Sequence, residues 1–183
     1  INKIIITGMG TCHTAAESIA HYMREHFVEL IPSISISAVI ASEASAFHMK
    51  QNMKNILIIA IAQSGTTKDT NTYVEMSKKR GAHTMAILNK RNGDISYIVD
   101  ETLYLGNGRD IEIAVPSTKT YLCHLILGYI MNHTFFQFLI QSKYIRWTVL
   151  FILIEINLKY YNKTYTEFLF KSDYTTINIK KFI

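Results

Sequence analysis

Residues 55–62 read Asn-Ile-Leu-Ile-Ile-Ala-Ile-Ala, the most apolar of several runs of strand length in the chain. A run this short, with no polar alternation, suits a β-strand buried on both faces, the condition of strands in a parallel sheet covered by helices. A polar loop from Gln63 to Thr67 follows it. Lys68 to Arg80 then has helical character and is stopped by Gly81 in the usual C-terminal position. Strand, polar turn and helix in that order form half of a crossover unit.

The same alternation recurs from the start of the chain. Lys3 to Thr7 reads as a first buried strand and Gly8 to Thr11 as the turn after it. The next segment sets Ala16, Ile19, Ala20, Met23 and Phe27 on one helical stripe. Ile34 to Ile40 alternates Ser and Ile at period two, so one of its faces is less apolar, as on an edge strand. Ser42 to Met49 predicts a short helical turn. Thr84 to Leu88 and Thr102 to Leu105 supply two further strands, with a short helix at Ile95 to Val99 between them. Thr118 to Met131 closes the unit as a helix expected to bury Leu122, Leu125, Ile126 and Tyr129. The class is α/β, and five strands with intervening helices suit a flavodoxin-like doubly wound parallel sheet, whose ligands lie outside the carboxyl ends of the strands.

Composition limits the function. With 49% hydrophobic and 18% charged residues, and only 8 Gly and 2 Pro among 183, the chain folds rather than staying disordered. The net charge of +5 divides unevenly: residues 1–130 hold 12 basic against 11 acidic residues, and 131–183 hold 7 against 3. The basicity belongs to the tail, so no nucleic-acid partner is expected. All eight glycines precede residue 131, whereas 13 of the 21 aromatic residues follow it. Two sequence populations therefore meet near Asn132, giving a domain over 1–132 and an unassigned aromatic and basic tail over 133–183. The uncharged apolar run Trp147 to Ile154 falls short of the roughly 18 to 20 residues that a membrane span needs. Cys12 and Cys123 form no disulfide framework, and a reducing, cytoplasmic setting is the natural reading. The seven His residues include no metal-binding motif, so neither metal nor cofactor is expected. The chain opens on Ile1 rather than Met and has no signal segment; it reads as a piece of a longer protein.

Three segments could carry chemistry. In Ala62-Gln63-Ser64-Gly65-Thr66-Thr67, Gly65 permits a tight turn, Ser64, Thr66 and Thr67 offer hydroxyl donors, and the free N–H groups of the next helix face the loop. A phosphate fits such a neutral cradle without a lysine. The competing reading is a Ser/Thr-rich helix cap without a ligand, with Thr66 and Asp69 as a capping pair. The second segment, Gly8-Met9-Gly10-Thr11-Cys12-His13, departs from the dinucleotide fingerprint, which requires a small residue at His13 and an acid near the end of the second strand. Cys12 reads more readily as a small buried thiol than as a nucleophile. The third runs from Gly106 through Glu112 to Ser117-Thr118-Lys119, where Ser117 or Thr118 can cap the following helix. All three open on the carboxyl edge of the sheet.

In this order and spacing the segments resemble the sugar isomerase (SIS) domain, and within it the first such domain of the fructose-6-phosphate aminotransferases. The resemblance covers about residues 3–131. It rests on Gly10-Thr11 after the first strand, Ala41-Ser42-Glu43 after the second, Gln63-Ser64-Gly65 with Thr67 and Asp69-Thr70 after the third, and Glu112-Ile113 with Val115 to Lys119 before the last helix. It implies a sugar-phosphate ligand: phosphate at the loop Gln63, Ser64, Gly65 and Thr67, and sugar contacts at Thr11, Cys12, Val115 and Ser117. Against the family pattern, Cys12 stands where Ser is usual, Ala62 starts the phosphate loop without a hydroxyl, Thr66 replaces Glu and Pro116 replaces a small residue. Losing one or two such donors weakens binding by about 1 to 3 kcal/mol. The family's acid/base residues come from a second isomerase lobe, a neighbouring subunit and a far C-terminal segment. No catalytic residue is therefore assigned, since Glu43 and Glu112 read as anchors, and the chain is expected to bind rather than turn over alone. The resemblance also implies a homodimer or pairing with a second SIS domain. The alternatives are a non-catalytic sugar-phosphate sensor and a decayed structural remnant.

Overall fold

Five strands, β1 (Lys3–Gly8), β2 (Ser35–Ile40), β3 (Ile56–Ala62), β4 (His83–Leu88) and β5 (Glu101–Tyr104), run parallel in one sheet of order β2-β1-β3-β4-β5. Five helices connect or follow them: α1 (Thr11–Phe27), α2 (Ala41–Phe47), α3 (Lys68–Lys79), α4 (Ile95–Ile98) and α5 (Lys119–Ser142). The computed structural model describes residues 1–27, 31–47, 49–106 and 117–142. The doubly wound α/β class and the edge position of β2 agree with the sequence reading.

The apolar run at residues 55–62 supplies β3, in the middle of the sheet. Every residue of β3 is buried, and successive side chains divide between two cores. Leu57, Ile59 and Ile61 join Ile4, Ile6 and the α1 stripe of Ala16, Ile19, Ala20, Met23 and Phe27, with Leu127, Met131 and Phe135 of α5. Ile56, Ile58, Ala60 and Ala62 join Tyr73 and Val74 of α3 and Ile95 of α4 on the other face. Full burial of each such branched side chain stabilises the fold by about 1.5 to 3 kcal/mol, so β3 is the member that both helical layers depend on.

The helix α5 differs from expectation. Leu122, Ile126 and Tyr129 are 58%, 40% and 37% exposed, and Leu125 is only partly buried. The buried stripe is instead Thr120, His124, Leu127, Met131, Asn132 and Phe135. The helix is rotated relative to its hydrophobic pattern because three of its inward positions are polar, which a reading by apolarity assigns to solvent. Gly128 sets its depth: a Cβ there would lie 2.5 Å from Ile19 Cδ1, so only a bare backbone lets α5 approach α1 this closely. The helix passes Asn132 without interruption, and Phe135 beyond it belongs to the same core. Residues 143–183 of the aromatic tail, with Trp147 to Ile154, lie outside the described residues.

At the amino edge of the sheet, opposite the three candidate loops, Asp100 ties β5 to β4 and α3. Its Oδ2 accepts from the Thr84 N–H at 2.9 Å and the Thr84 hydroxyl at 2.8 Å, and its Oδ1 lies 3.0 Å from Lys78 Nζ. Burial pushes the Asp100 carboxyl up, but the hydrogen bonds from Lys78 and Thr84 outweigh it and hold the pKa below the usual value. A carboxylate depressed in the folded state stabilises above its unfolded pKa of about 3.9, and that contribution is lost as pH falls through the lower folded value. Asp100→Asn is expected to reduce the unfolding free energy at pH 7 by about 1 kcal/mol, the site being partly solvated. It should also flatten the loss of stability below about pH 4, read from urea midpoints across that range.

Candidate functional site

The sheet order places a change of winding direction between β1 and β3. Chain leaving β1 crosses to β2 on one side, and chain leaving β3 crosses to β4 on the other. The two loops at the carboxyl ends therefore separate there and leave a crevice, which is where open α/β sheets bind ligands. Thr11 follows β1 and Gln63 follows β3, so two of the three sequence-derived segments flank this point.

The loop after β3 is built so that its carbonyls face away from that opening. The carbonyls of Ala62, Gln63 and Gly65 accept from the N–H groups of Asn89 at 3.3 Å, Lys90 at 3.0 Å and Ile95 at 3.0 Å, which lie in the segment after β4 and at the start of α4. Gly65 O also accepts from Asn71 Nδ2 at 3.1 Å. The hydroxyl side stays accessible: Thr66 and Thr67 are exposed, and Gln63 and Ser64 are partly so. Ser64 Oγ shares a hydrogen bond with Thr66 Oγ1 at 2.9 Å and accepts from Thr66 N–H at 3.3 Å, which folds the turn on itself.

Two glycines make this turn feasible. Gly65 has φ 74°, the left-handed region that disfavours any side chain. Gly93, in the segment beneath, has no room for one: a Cβ there would lie 2.4 Å from Ser64 O and 2.9 Å from Gly65 Cα. The loops meet backbone on backbone, so the phosphate-loop candidate rests on a rigid floor.

Thr67 is the residue ahead of α3 and makes no side-chain capping bond, so its hydroxyl is not used to cap the helix. The first helical bond there is Asn71 N–H to Thr67 O at 3.0 Å. The capping pair of Thr66 and Asp69 considered from the sequence is thus not what starts the helix. The early amides of α3, with the positive end of the helix dipole, face the loop. No lysine or arginine lies within residues 62–67.

The third segment meets the second. Ser117 is 3% exposed, and its Oγ lies 3.3 Å from Thr11 Oγ1, which joins the mouth of β1 to the chain entering α5. Leu122 N–H bonds to Thr118 O at 3.3 Å, so Thr118, not Ser117, is the flanking residue whose carbonyl takes the first bond of α5. Cys12 N–H closes the turn onto Met9 O at 3.1 Å, and its side chain packs against the core shared by α1 and α5. His13 Nε2 lies 3.6 Å from Glu17 Oε1 on the surface of α1. Glu43 is exposed in the first turn of α2. Val115, with Glu112 and Pro116, lies outside the described residues. Among the described residues there is no cluster of three or more groups able to hold a metal ion, and no helix long and apolar enough to cross a membrane.

Two participants escaped the sequence reading. Gly93 supplies the floor, a role that depends on a segment 28 residues from the turn and has no local signature. His124, fully buried on α5, lies with Nε2 3.2 Å from Ala62 O, at the root of the loop. A histidine amid Leu and Ile was a signal, but the assumed helix phase hid it.

The comparisons with known proteins agree with this geometry. The family model of the SIS domain matches residues 1–133. The isomerising glutamine–fructose-6-phosphate aminotransferase of Clostridium tetani is 37% identical over 139 residues, covering 75% of this chain and 21% of that protein. Its counterpart from Pyrococcus horikoshii is 36% identical over 131 residues, covering 69% and 20%. The chain thus spans about a fifth of the length of these curated relatives. Among solved structures, the C-terminal domain of glucosamine–fructose-6-phosphate aminotransferase from Francisella tularensis superposes with TM-score 0.60 at 26% identity, over 72% of this chain and 35% of that one. Glucosamine-6-phosphate deaminase from Thermotoga maritima shares the fold, with TM-score 0.57 at 18% identity over 76% and 44%. With the parallel sheet of order 2-1-3-4-5, the loops at its carboxyl edge and a family model covering most of its length, the chain belongs to the SIS domain family.

Proposed function

We propose that the chain is a sugar-phosphate-binding lobe, the part of a fructose-6-phosphate aminotransferase that grips fructose 6-phosphate. The observation that carries this reading is the loop Gln63 to Thr67. Its carbonyls are tied beneath it by Asn89, Lys90 and Ile95, while the Ser64, Thr66 and Thr67 hydroxyls stay accessible ahead of α3. Gln63, Ser64, Gly65 and Thr67 hold the phosphate through neutral donors and helix amides. Thr11 and Ser117, already within hydrogen-bond range of each other, contact sugar hydroxyls, with Cys12 and Val115 completing that side. The aminotransferase relatives act on fructose 6-phosphate by name, which supports the choice of sugar.

The chain alone binds without turning over. A general base has to reach its proton at hydrogen-bond distance; Glu43 is exposed in the first turn of α2, and His13 lies beside Glu17 on α1. Chemistry then awaits a partner lobe, either a second copy in a homodimer or a second SIS domain, in a cytoplasmic protein.

Isothermal titration of the folded chain with fructose 6-phosphate should give saturable binding in the millimolar range or tighter, competed by inorganic phosphate; heat changes no larger than those of fructose itself would end the reading. Ser64→Ala removes one donor and the turn's internal bond, and should weaken binding about tenfold. Gly93→Ala pushes a methyl into the Ser64 carbonyl. It should reduce stability by about 2 kcal/mol and disorder the loop, seen as a fall of about 4 to 8 °C in Tm together with lost binding.

A further inference from the structure

We propose that His124 is a positioning residue for the anion loop. It acts as a strut that fixes the exit of β3 from below and so sets where Ser64 and Thr67 stand. The proposal rests on the sugar-phosphate reading of that loop for its functional meaning, and on the geometry alone for its structural one.

A carbonyl oxygen accepts and never donates, so the 3.2 Å contact between His124 Nε2 and Ala62 O fixes the Nε2 of His124 as the protonated nitrogen. Ala62 is the last residue of β3, paired in register with Leu88, and the next residue is Gln63. Its carbonyl already accepts from the Asn89 N–H at 3.3 Å, so the two donors occupy both lone pairs of the oxygen. Asn89 holds the peptide from the β4 side, and His124 holds it from the α5 side. The peptide plane that launches the loop can no longer rotate.

Burial makes the bond count. His124 is fully buried, so breaking the contact would leave its imidazole N–H without water to replace the partner, and would leave the Ala62 carbonyl held by Asn89 alone. The residue also lies one helical turn beyond buried Thr120 and seven residues after Ser117, whose hydroxyl meets Thr11. α5 therefore reaches the site at two heights, and the deeper of the two is His124. Displacing this contact moves the phosphate side of the crevice relative to the sugar side, since one helix carries both anchors. An apolar side chain at this inward position could not hold the Ala62 peptide.

The test uses the full chain and three substitutions. His124→Leu keeps the volume and removes the donor. His124→Gln returns an amide N–H at similar reach. His124→Asn keeps polarity but is too short to span the gap. Amide hydrogen exchange of residues 63–67, compared with that of β3, and titration with fructose 6-phosphate are read together. The expected result is faster exchange confined to the loop in the Leu and Asn variants, with affinity about tenfold weaker. The Gln variant should recover both. If the Leu variant does not fold, the Asn and Gln pair decides by the same readouts. Loop exchange and affinity unchanged in the Leu and Asn variants overturn the proposal, as does a Gln variant no better than Asn. Should the parent chain bind no sugar phosphate, the functional reading fails, and the exchange measurement still decides whether His124 orders the loop.

Discussion

A turn able to receive an anion, as proposed for Gln63 to Thr67, has to hide its own carbonyls, because each carbonyl oxygen carries partial negative charge toward whatever enters. Here the carbonyls of Ala62, Gln63 and Gly65 are all bonded downward to N–H groups that follow β4 and open α4. That one arrangement determines what the rest of the molecule has to provide. The segment below must run close enough to accept the loop, which requires a residue without a side chain at Gly93. β4 must sit next to β3 in the sheet, as the order β2-β1-β3-β4-β5 ensures. β3 must be immobile, and burial of all seven of its residues between two helical layers makes it so.

The helix α5 brings the two sides of the crevice into one rigid unit. Ser117, just ahead of it, meets Thr11 after β1, and His124 meets Ala62 after β3. Gly128 lets the same helix lie against Ile19 of α1, so it is seated on the core rather than suspended over the site. Groups held this way before a ligand arrives lose little freedom on binding, and preorganisation of this kind contributes to affinity without adding contacts. Asp100, at the opposite edge of the sheet, fastens β4 and β5 to α3.

Local pattern carried most of the fold and much of the site. Apolar runs bounded by polar turns located all five strands, and the Gly81 stop and the α1 stripe located two helices, because burial of one face leaves a periodic trace in the chain. Gln63 to Thr67 stood out for the same reason: it sits between the strongest strand and a well-bounded helix. What failed was the rotation of α5. Thr120, His124 and Asn132 point inward, and apolarity alone turns such a helix the wrong way, toward Leu122, Ile126 and Tyr129. Gly93 and His124 were hidden by a different cause. Each matters only through a backbone group far away in sequence, and no window of neighbouring residues contains that information.

If the loop receives a phosphate as proposed, its lack of Lys and Arg accounts for why so much structure supports so short a segment. A lysine or arginine attracts a phosphate over several ångströms and tolerates misplacement, whereas hydroxyls and amides act only at contact and only when aligned. Residues 62–67 hold no basic side chain, the nearest in sequence being Lys68, so on the proposed reading a phosphate there is held by position more than by field. A half-ångström shift of the Ser64 peptide would therefore matter more here than in a charged pocket. The same dependence favours a ligand that offers hydroxyl groups beside its phosphate, since Thr11 and Ser117 form a polar pair across the switch point from the loop. Inorganic phosphate would fill one half of such a crevice, and a phosphorylated sugar would fill both.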